Sequence, residues 1–221
     1  MTSGRPGWQA VPRMVSELLP ECVACEEIVG DPEPAGLMPE EEAAIARAVE
    51  KRRREFGLGR QCARAALARL GMPPVAIPQG PKRQPLWPAG VVGSITHCAG
   101  YCAAAVARSA DVAGVGIDAE VRSRKLGDGV VERVTIPEER EWIARQPADG
   151  TPWEMIVFSA KESVYKAWFP MTGAWLGFED ARIEIGPEGK FIARLAKRGM
   201  SYRGRYRVAG LWVMTAVVQL Y

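Results

Sequence analysis

The stretch VVGSITHCAGYCAAAVARSADVAGVGIDAE, residues 91–120, decides how this chain folds. Three runs within it, 91–96, 101–107 and 112–119, are built from β-branched and small apolar residues. Cys98-Ala99-Gly100 and the segment 108–111 separate them as turns. The pattern predicts three antiparallel strands in a meander. In the last strand Val115, Ile117 and Ala119 fall on one face, and Gly114, Gly116, Asp118 and Glu120 on the other. The apolar face belongs in a core. The opposite face offers two carboxylates and two bare glycines, with room for a ligand. Carboxylates this close repel unless a cation sits between them.

Upstream, residues 40–70 carry helix formers and an apolar stripe of Ile45, Val49, Phe56, Ala63, Leu67 and Leu70. Gly57 and Gly59 interrupt it, so two helices are expected, about 40–55 and 60–70, with the basic run 51–54 near their joint. Six prolines between 72 and 90 exclude a helix there. Residues 1–20 read as a loose arm and 31–36 as a turn-rich loop. Downstream, 121–135 reads as loop, and Pro137 opens a short helix through Arg145. Trp153, Ile156, Val157, Ala160, Val164 and Trp168 predict a helix over 153–169. Strands follow at 179–185, 190–196, 203–208 and 211–220. Helix then meander, twice, argues for an α+β fold with two similar halves, 1–120 and 121–221, and a cleft between them.

Bulk properties narrow the function. The chain has 221 residues, 48% hydrophobic and 25% charged, with net charge +3. That is ordinary for a globular protein and too mild for a general nucleic-acid binder. No membrane-spanning run or signal peptide is present, so a cytoplasmic protein is expected. Five cysteines, an odd number, argue against a disulfide framework. Cys22-x-x-Cys25 has half a zinc spacing, but buried free thiols fit better.

The chemistry sits in a few clusters. Glu162 and Lys166 lie one turn apart on the 153–169 helix, with Lys161 and Tyr165 as the neighbouring pair. Asp118, Glu120 and Glu162 together form an all-oxygen set suited to magnesium or manganese rather than zinc. His97, the only histidine, stands beside Ser94 and Thr96, all capable of meeting a phosphate. Arg52, Arg60 and Arg64 can add bidentate phosphate contacts, and Gln79-Gly80-Pro81-Lys82 can reach a ligand from the proline-rich loop. R-x-x-G-x-G over 54–59 matches a pyrophosphate loop of acetyltransferases, but it follows helix-like sequence, not a strand.

GSITH (93–97), GIDAE (116–120) and KESVYK (161–166), in this order, resemble the surfactin-type 4′-phosphopantetheinyl transferases, most nearly the actinobacterial type serving polyketide and nonribosomal peptide synthases. The resemblance covers nearly the whole chain. It implies transfer of 4′-phosphopantetheine from coenzyme A to a serine of an apo acyl or peptidyl carrier protein, with release of adenosine 3′,5′-bisphosphate. It implies that Asp118, Glu120 and Glu162 hold Mg²⁺, or Mn²⁺, on the pyrophosphate. The carrier serine needs a base within hydrogen-bond reach, and Glu162, directly or through water, is the expected one. His97, Arg52 and Arg60 would grip the 3′-phosphate, and Lys161 and Lys166 would face the pyrophosphate. Tyr165, Trp175 and Leu176 would line the pantetheine pocket. The family's Gly-Lys-Pro loop is here Gly80-Pro81-Lys82, leaving open whether Gln79 or Lys82 makes that contact. Carriers of polyketide, nonribosomal peptide and fatty acid synthases are the expected partners, and a monomer the expected state. A metal-dependent phosphohydrolase or nuclease, or a non-enzymatic coenzyme A binding module, are the competing readings.

Overall fold

A computed structural model describes residues 14–195 and 198–221. Its strands are β1 (Ala24–Val29), β2 (Val91–Cys98), β3 (Tyr101–Arg108), β4 (Val112–Val121), β5 (Arg182–Ile185), β6 (Lys190–Leu195), β7 (Met200–Ala209) and β8 (Trp212–Leu220). Its helices are α1 (Pro39–Glu42), α2 (Glu50–Arg69), α3 (Asp128–Val134), α4 (Pro137–Ala144) and α5 (Trp153–Thr172). None of the helices among the described residues is long and apolar enough to cross a membrane.

Two antiparallel sheets form, ordered β1-β3-β2 and β4-β8-β7-β6-β5. The mixed α+β architecture agrees with the sequence, but the single meander does not hold. β2 and β3 pair as a hairpin, whereas β4 crosses to the second sheet and pairs with β8. Sheet membership therefore changes at the turn before Val112, not after residue 120. Glycine at 100, with φ of 73°, takes the tight β2–β3 turn in the left-handed region.

The sheets stack face to face, and a long helix covers each outer face. β3 shows why. Tyr101, Ala103, Ala105 and Ala107 pack against Val115, Ile117, Ala119, Met214 and Ala216 of the second sheet. Cys102, Ala104 and Val106, on the opposite face, pack beneath Leu58, Cys62, Ala66 and Leu67 of α2. Both faces are buried, so the run reads as continuously apolar rather than alternating. α5 lies over the second sheet in the same way, through Val157, Ala160, Val164 and Trp168.

Some expectations need correction. The segment 50–69 is one unbroken helix. Its glycines are packing sites: a Cβ on Gly57 would fall 2.8 Å from Pro34 Cβ, and one on Gly59 3.0 Å from Ile95 Cγ2. β1 was not foreseen, and α3 occupies part of the segment 121–135 expected as loop. Most of the expected N-terminal arm lies outside the described residues. The five cysteines are all free thiols.

Where the halves meet, β2 and β4 lie side by side without a backbone ladder. Hydroxyls bridge them instead. The Ile117 amide donates to Ser94 Oγ at 3.1 Å, and the Ala119 amide to Thr96 Oγ1 at 2.9 Å. The bridge satisfies buried amides that a sheet edge would otherwise leave unpaired.

Candidate active site

The site begins with how closely α5 approaches β4. A Cβ on Gly116 would lie 1.9 Å from the Ser163 carbonyl oxygen, and one on Gly114 2.6 Å from Met171 Sδ. The glycines are therefore the seat of the helix. They do not open space for a ligand, as the strand pattern alone suggested. Seated this way, α5 brings Ser159, Glu162 and Lys166 beside Asp118.

Asp118 is 5% exposed and engaged on both oxygens. Lys166 Nζ donates to Oδ1 at 2.7 Å, and Ser159 Oγ donates to Oδ2 at 2.8 Å. Thr96 Oγ1 stands 3.5 Å from Oδ1. Lys166 also reaches the Ile117 carbonyl at 3.1 Å. Glu120 lies further along β4, held at 2.9 Å by Arg124. Burial pushes the Glu120 carboxyl above the usual range, and the Asp118 charge adds to the rise. Burial raises Glu162 too; Lys166 opposes the rise, while Asp118 and Glu120 reinforce it. The Asp118 charge thus raises both glutamates, and Glu120 adds to the rise at Glu162.

The donor chemistry of these three acids fits a hard divalent ion: all are carboxylates, and the pKa values of Glu120 and Glu162 are raised partly by their acidic neighbours. Among the described residues, however, no three acidic, histidine or cysteine groups stand together as a ready-made metal cage. Lys166 supplies the positive charge at Asp118 in this structure.

A cavity of about 210 Å³ opens between the halves, lined by Lys82, Gln84, Ser94, Glu162, Tyr165 and Lys166, among others. It joins the proline-rich loop, β2 and α5. Lys82 is on its wall, whereas Gln79 Nε2 turns back to the Arg83 carbonyl at 3.4 Å. Tyr165 contacts Phe169 in a stacked pair at 5.6 Å and Trp175 edge-on at 5.4 Å. Trp175 is 75% exposed, an aromatic surface standing in solvent next to Tyr165.

His97 forms a second cluster with α2. Arg52 Nη1 lies 2.9 Å from His97 Nε2, and Glu55 Oε2 lies 3.7 Å from Nδ1. A guanidinium only donates, so Nε2 accepts and the ring proton sits on Nδ1. Burial lowers the histidine pKa, Glu55 opposes this and Arg52 adds to it. Arg60 is buried, with its guanidinium 3.8 Å from the centre of the Phe56 ring and Nε donating to the Ile77 carbonyl at 2.9 Å. Burial brings its pKa down to about 10. Its Nη2 has no hydrogen-bond partner among the described residues.

Five residues expected at the ligand are engaged within the protein itself. Lys161 is 1% exposed in its side chain and donates to Glu139 at 2.7 Å and the Phe178 carbonyl at 2.8 Å, so it cannot face a pyrophosphate. Leu176 is buried in the core under α5. Ser94 and Thr96 accept from β4 amides, so their hydroxyl oxygens bridge the halves, while Ser94 also stands on the cavity wall. Arg64, the further expected phosphate arginine, is turned to Glu41 at 2.8 Å. Conversely, Ser159 and Glu55 entered the site unannounced. Ser159 lies three residues before Glu162 on one helix face, but a serine within a helix signals nothing by itself.

Two family profiles match consecutive parts of the chain. The family profile described as 4′-phosphopantetheinyl transferase N-terminal domain matches residues 40–107, and that of the 4′-phosphopantetheinyl transferase superfamily matches 114–216. The junction falls where β4 crosses between sheets. The chain is 48% identical to 4′-phosphopantetheinyl transferase Svp of Streptomyces mobaraensis, over 87% of this chain and 80% of that one. It is 44% identical to PptT of Mycobacterium tuberculosis, over 93% and 97%, and 42% identical to Npt of Nocardia iowensis, over 92% and 99%. The chain belongs to the 4′-phosphopantetheinyl transferase family.

Proposed function

We propose that this enzyme moves 4′-phosphopantetheine from coenzyme A to a serine hydroxyl of an apo carrier protein. The observation that carries the reading is the Asp118–Lys166 pair at 2.7 Å, set with Glu162 at a cavity that joins the two halves. Family membership supplies the reaction class. The serine oxygen bonds to the phosphorus attached to pantetheine, the bond from that phosphorus to the bridging oxygen breaks, and adenosine 3′,5′-bisphosphate leaves.

Phosphoryl transfer is mostly positioning and charge stabilisation. Lys166 and Lys82, both on the cavity wall, offer positive charge to the pyrophosphate and the leaving bisphosphate. Glu162, made more basic by its burial, takes the serine proton. Arg52 and His97 grip the 3′-phosphate, and Arg60 Nη2, without a hydrogen-bond partner among the described residues, can add a donor. Tyr165 and Trp175 form an aromatic lip for the pantetheine arm. Asp118, Glu120 and Glu162 would hold Mg²⁺ or Mn²⁺, which when bound neutralises pyrophosphate charge.

The carriers are those of polyketide, nonribosomal peptide or fatty acid synthases, and the protein works as a cytoplasmic monomer. Incubation with coenzyme A, Mg²⁺ and an apo carrier tests the reading by mass spectrometry. The expected outcome is a carrier heavier by one phosphopantetheine. Nucleotide release from coenzyme A with the carrier unchanged would point instead to a hydrolase.

A further inference from the structure

We propose that Ser159 and Thr215, with Ser163 behind them, are positioning residues for Asp118: a buried cluster of linked hydroxyls fixes one carboxylate oxygen and leaves the other to the side of Lys166 and the cavity. The inference rests on Asp118 being a metal-binding carboxylate, as proposed above.

The cluster is read from its contacts. Ser159 Oγ lies 2.8 Å from Asp118 Oδ2 and 2.9 Å from Thr215 Oγ1. Thr215 Oγ1 lies 2.8 Å from the Ser159 carbonyl and 2.6 Å from Ser163 Oγ. Ser163 Oγ also lies 3.2 Å from the Thr215 carbonyl. All three residues are fully buried, so no solvent competes for these groups. β4 and β8 place Thr215 directly across from Asp118, and Ser159 and Ser163 are one turn apart on α5.

A carboxylate oxygen accepts, so Ser159 donates to Oδ2. Ser159 Oγ then has only lone pairs left for Thr215. Thr215 has one proton for the Ser159 hydroxyl, the Ser159 carbonyl and the Ser163 hydroxyl, and Ser163 has one for the Thr215 hydroxyl and carbonyl. Whichever way those two protons turn, Ser159 is held between Thr215 and Asp118, and Oδ2 is held from behind. Oδ1 remains on the side of Lys166, which lines the cavity. A valine would satisfy the packing at 215 but break this cluster at its middle. Groups that orient a metal-binding carboxylate typically contribute about 10–100-fold in metal affinity or activity.

The test measures Mn²⁺ binding to the coenzyme A-loaded protein by electron paramagnetic resonance, beside turnover and metal-free coenzyme A binding. Ser159→Ala and Thr215→Val should weaken Mn²⁺ binding about 10–100-fold and leave coenzyme A affinity unchanged. Thr215→Ser, which keeps the hydroxyl, should bind Mn²⁺ like the native protein. Thermal unfolding shows which variants fold, and either loss variant alone suffices. Native Mn²⁺ affinity in a folded Ser159→Ala or Thr215→Val, with affinity lost in Asp118→Asn, would overturn the positioning role while leaving the metal reading intact. Native affinity in Asp118→Asn would overturn both.

Discussion

Glu41 and Glu139 are counterparts across the two halves. Each is the third residue of a short helix opened by proline, and each is buried. Glu41 accepts from Arg64 on α2 at 2.8 Å, from the Ile77 amide at 2.9 Å and from its own cap amide, Met38, at 3.0 Å. Glu139 accepts from Lys161 on α5 at 2.7 Å, from the Ile183 amide at 2.7 Å and from the Ile136 amide at 2.9 Å. One carboxylate per half ties a short helix, a long helix and a following segment together. The two segments read MPEEE (38–42) and IPEER (136–140).

Removing one partner of a buried pair strands the other. Glu139→Ala should therefore destabilise the protein by about 3–5 kcal/mol, since Lys161 would keep its burial and lose its counter-charge. Replacing both Glu139 and Lys161 with methionine should cost clearly less than Glu139→Ala. Chemical denaturation of the three proteins measures both effects.

Gly116 has no space for a side chain. Gly116→Ala would drive a methyl into the Ser163 carbonyl and lift α5 from β4. About 1–3 kcal/mol of stability should be lost. Turnover should fall by more than stability explains, because Glu162 and Lys166 ride on the displaced helix. Denaturation midpoints set against kcat/KM of the folded enzyme show this.

The His97–Arg52 cluster gives a substrate-based prediction. His97→Ala should lower kcat/KM for coenzyme A about tenfold or more, the loss of a hydrogen bond to a charged group. The same change should leave 3′-dephospho-coenzyme A nearly unaffected. Equal losses with both substrates would place His97 elsewhere.

Much of this fold was legible locally. β2, β3, β8 and α5 announce themselves through alternation or helical spacing, and their bounds moved by a few residues at most. What escaped was set by distant partners. Gly57 and Gly59 looked like a helix break, yet Pro34 and Ile95 demand them there. Nothing within 112–121 says that β4 should leave its neighbours for β8, nearly a hundred residues onward. The site divides in the same way. Asp118, Glu162 and Lys166 could be picked out by spacing and motif, and the structure gathers them. Lys161 could not be judged, because Glu139, the group that buries it, lies 22 residues earlier on another helix. Ser159 and Thr215 were invisible because hydroxyl chains leave no pattern in sequence.

The central claim, that Asp118 is the fixed centre of phosphoryl transfer, is tested most directly by Asp118→Asn in single-turnover transfer to an apo carrier. The substitution keeps the shape of the side chain and removes its charge. The account predicts coenzyme A binding near the native level and a transfer rate lower by about 10²–10³-fold, the scale of losing a preorganised charge contact. Transfer at close to the native rate in the folded variant would contradict it.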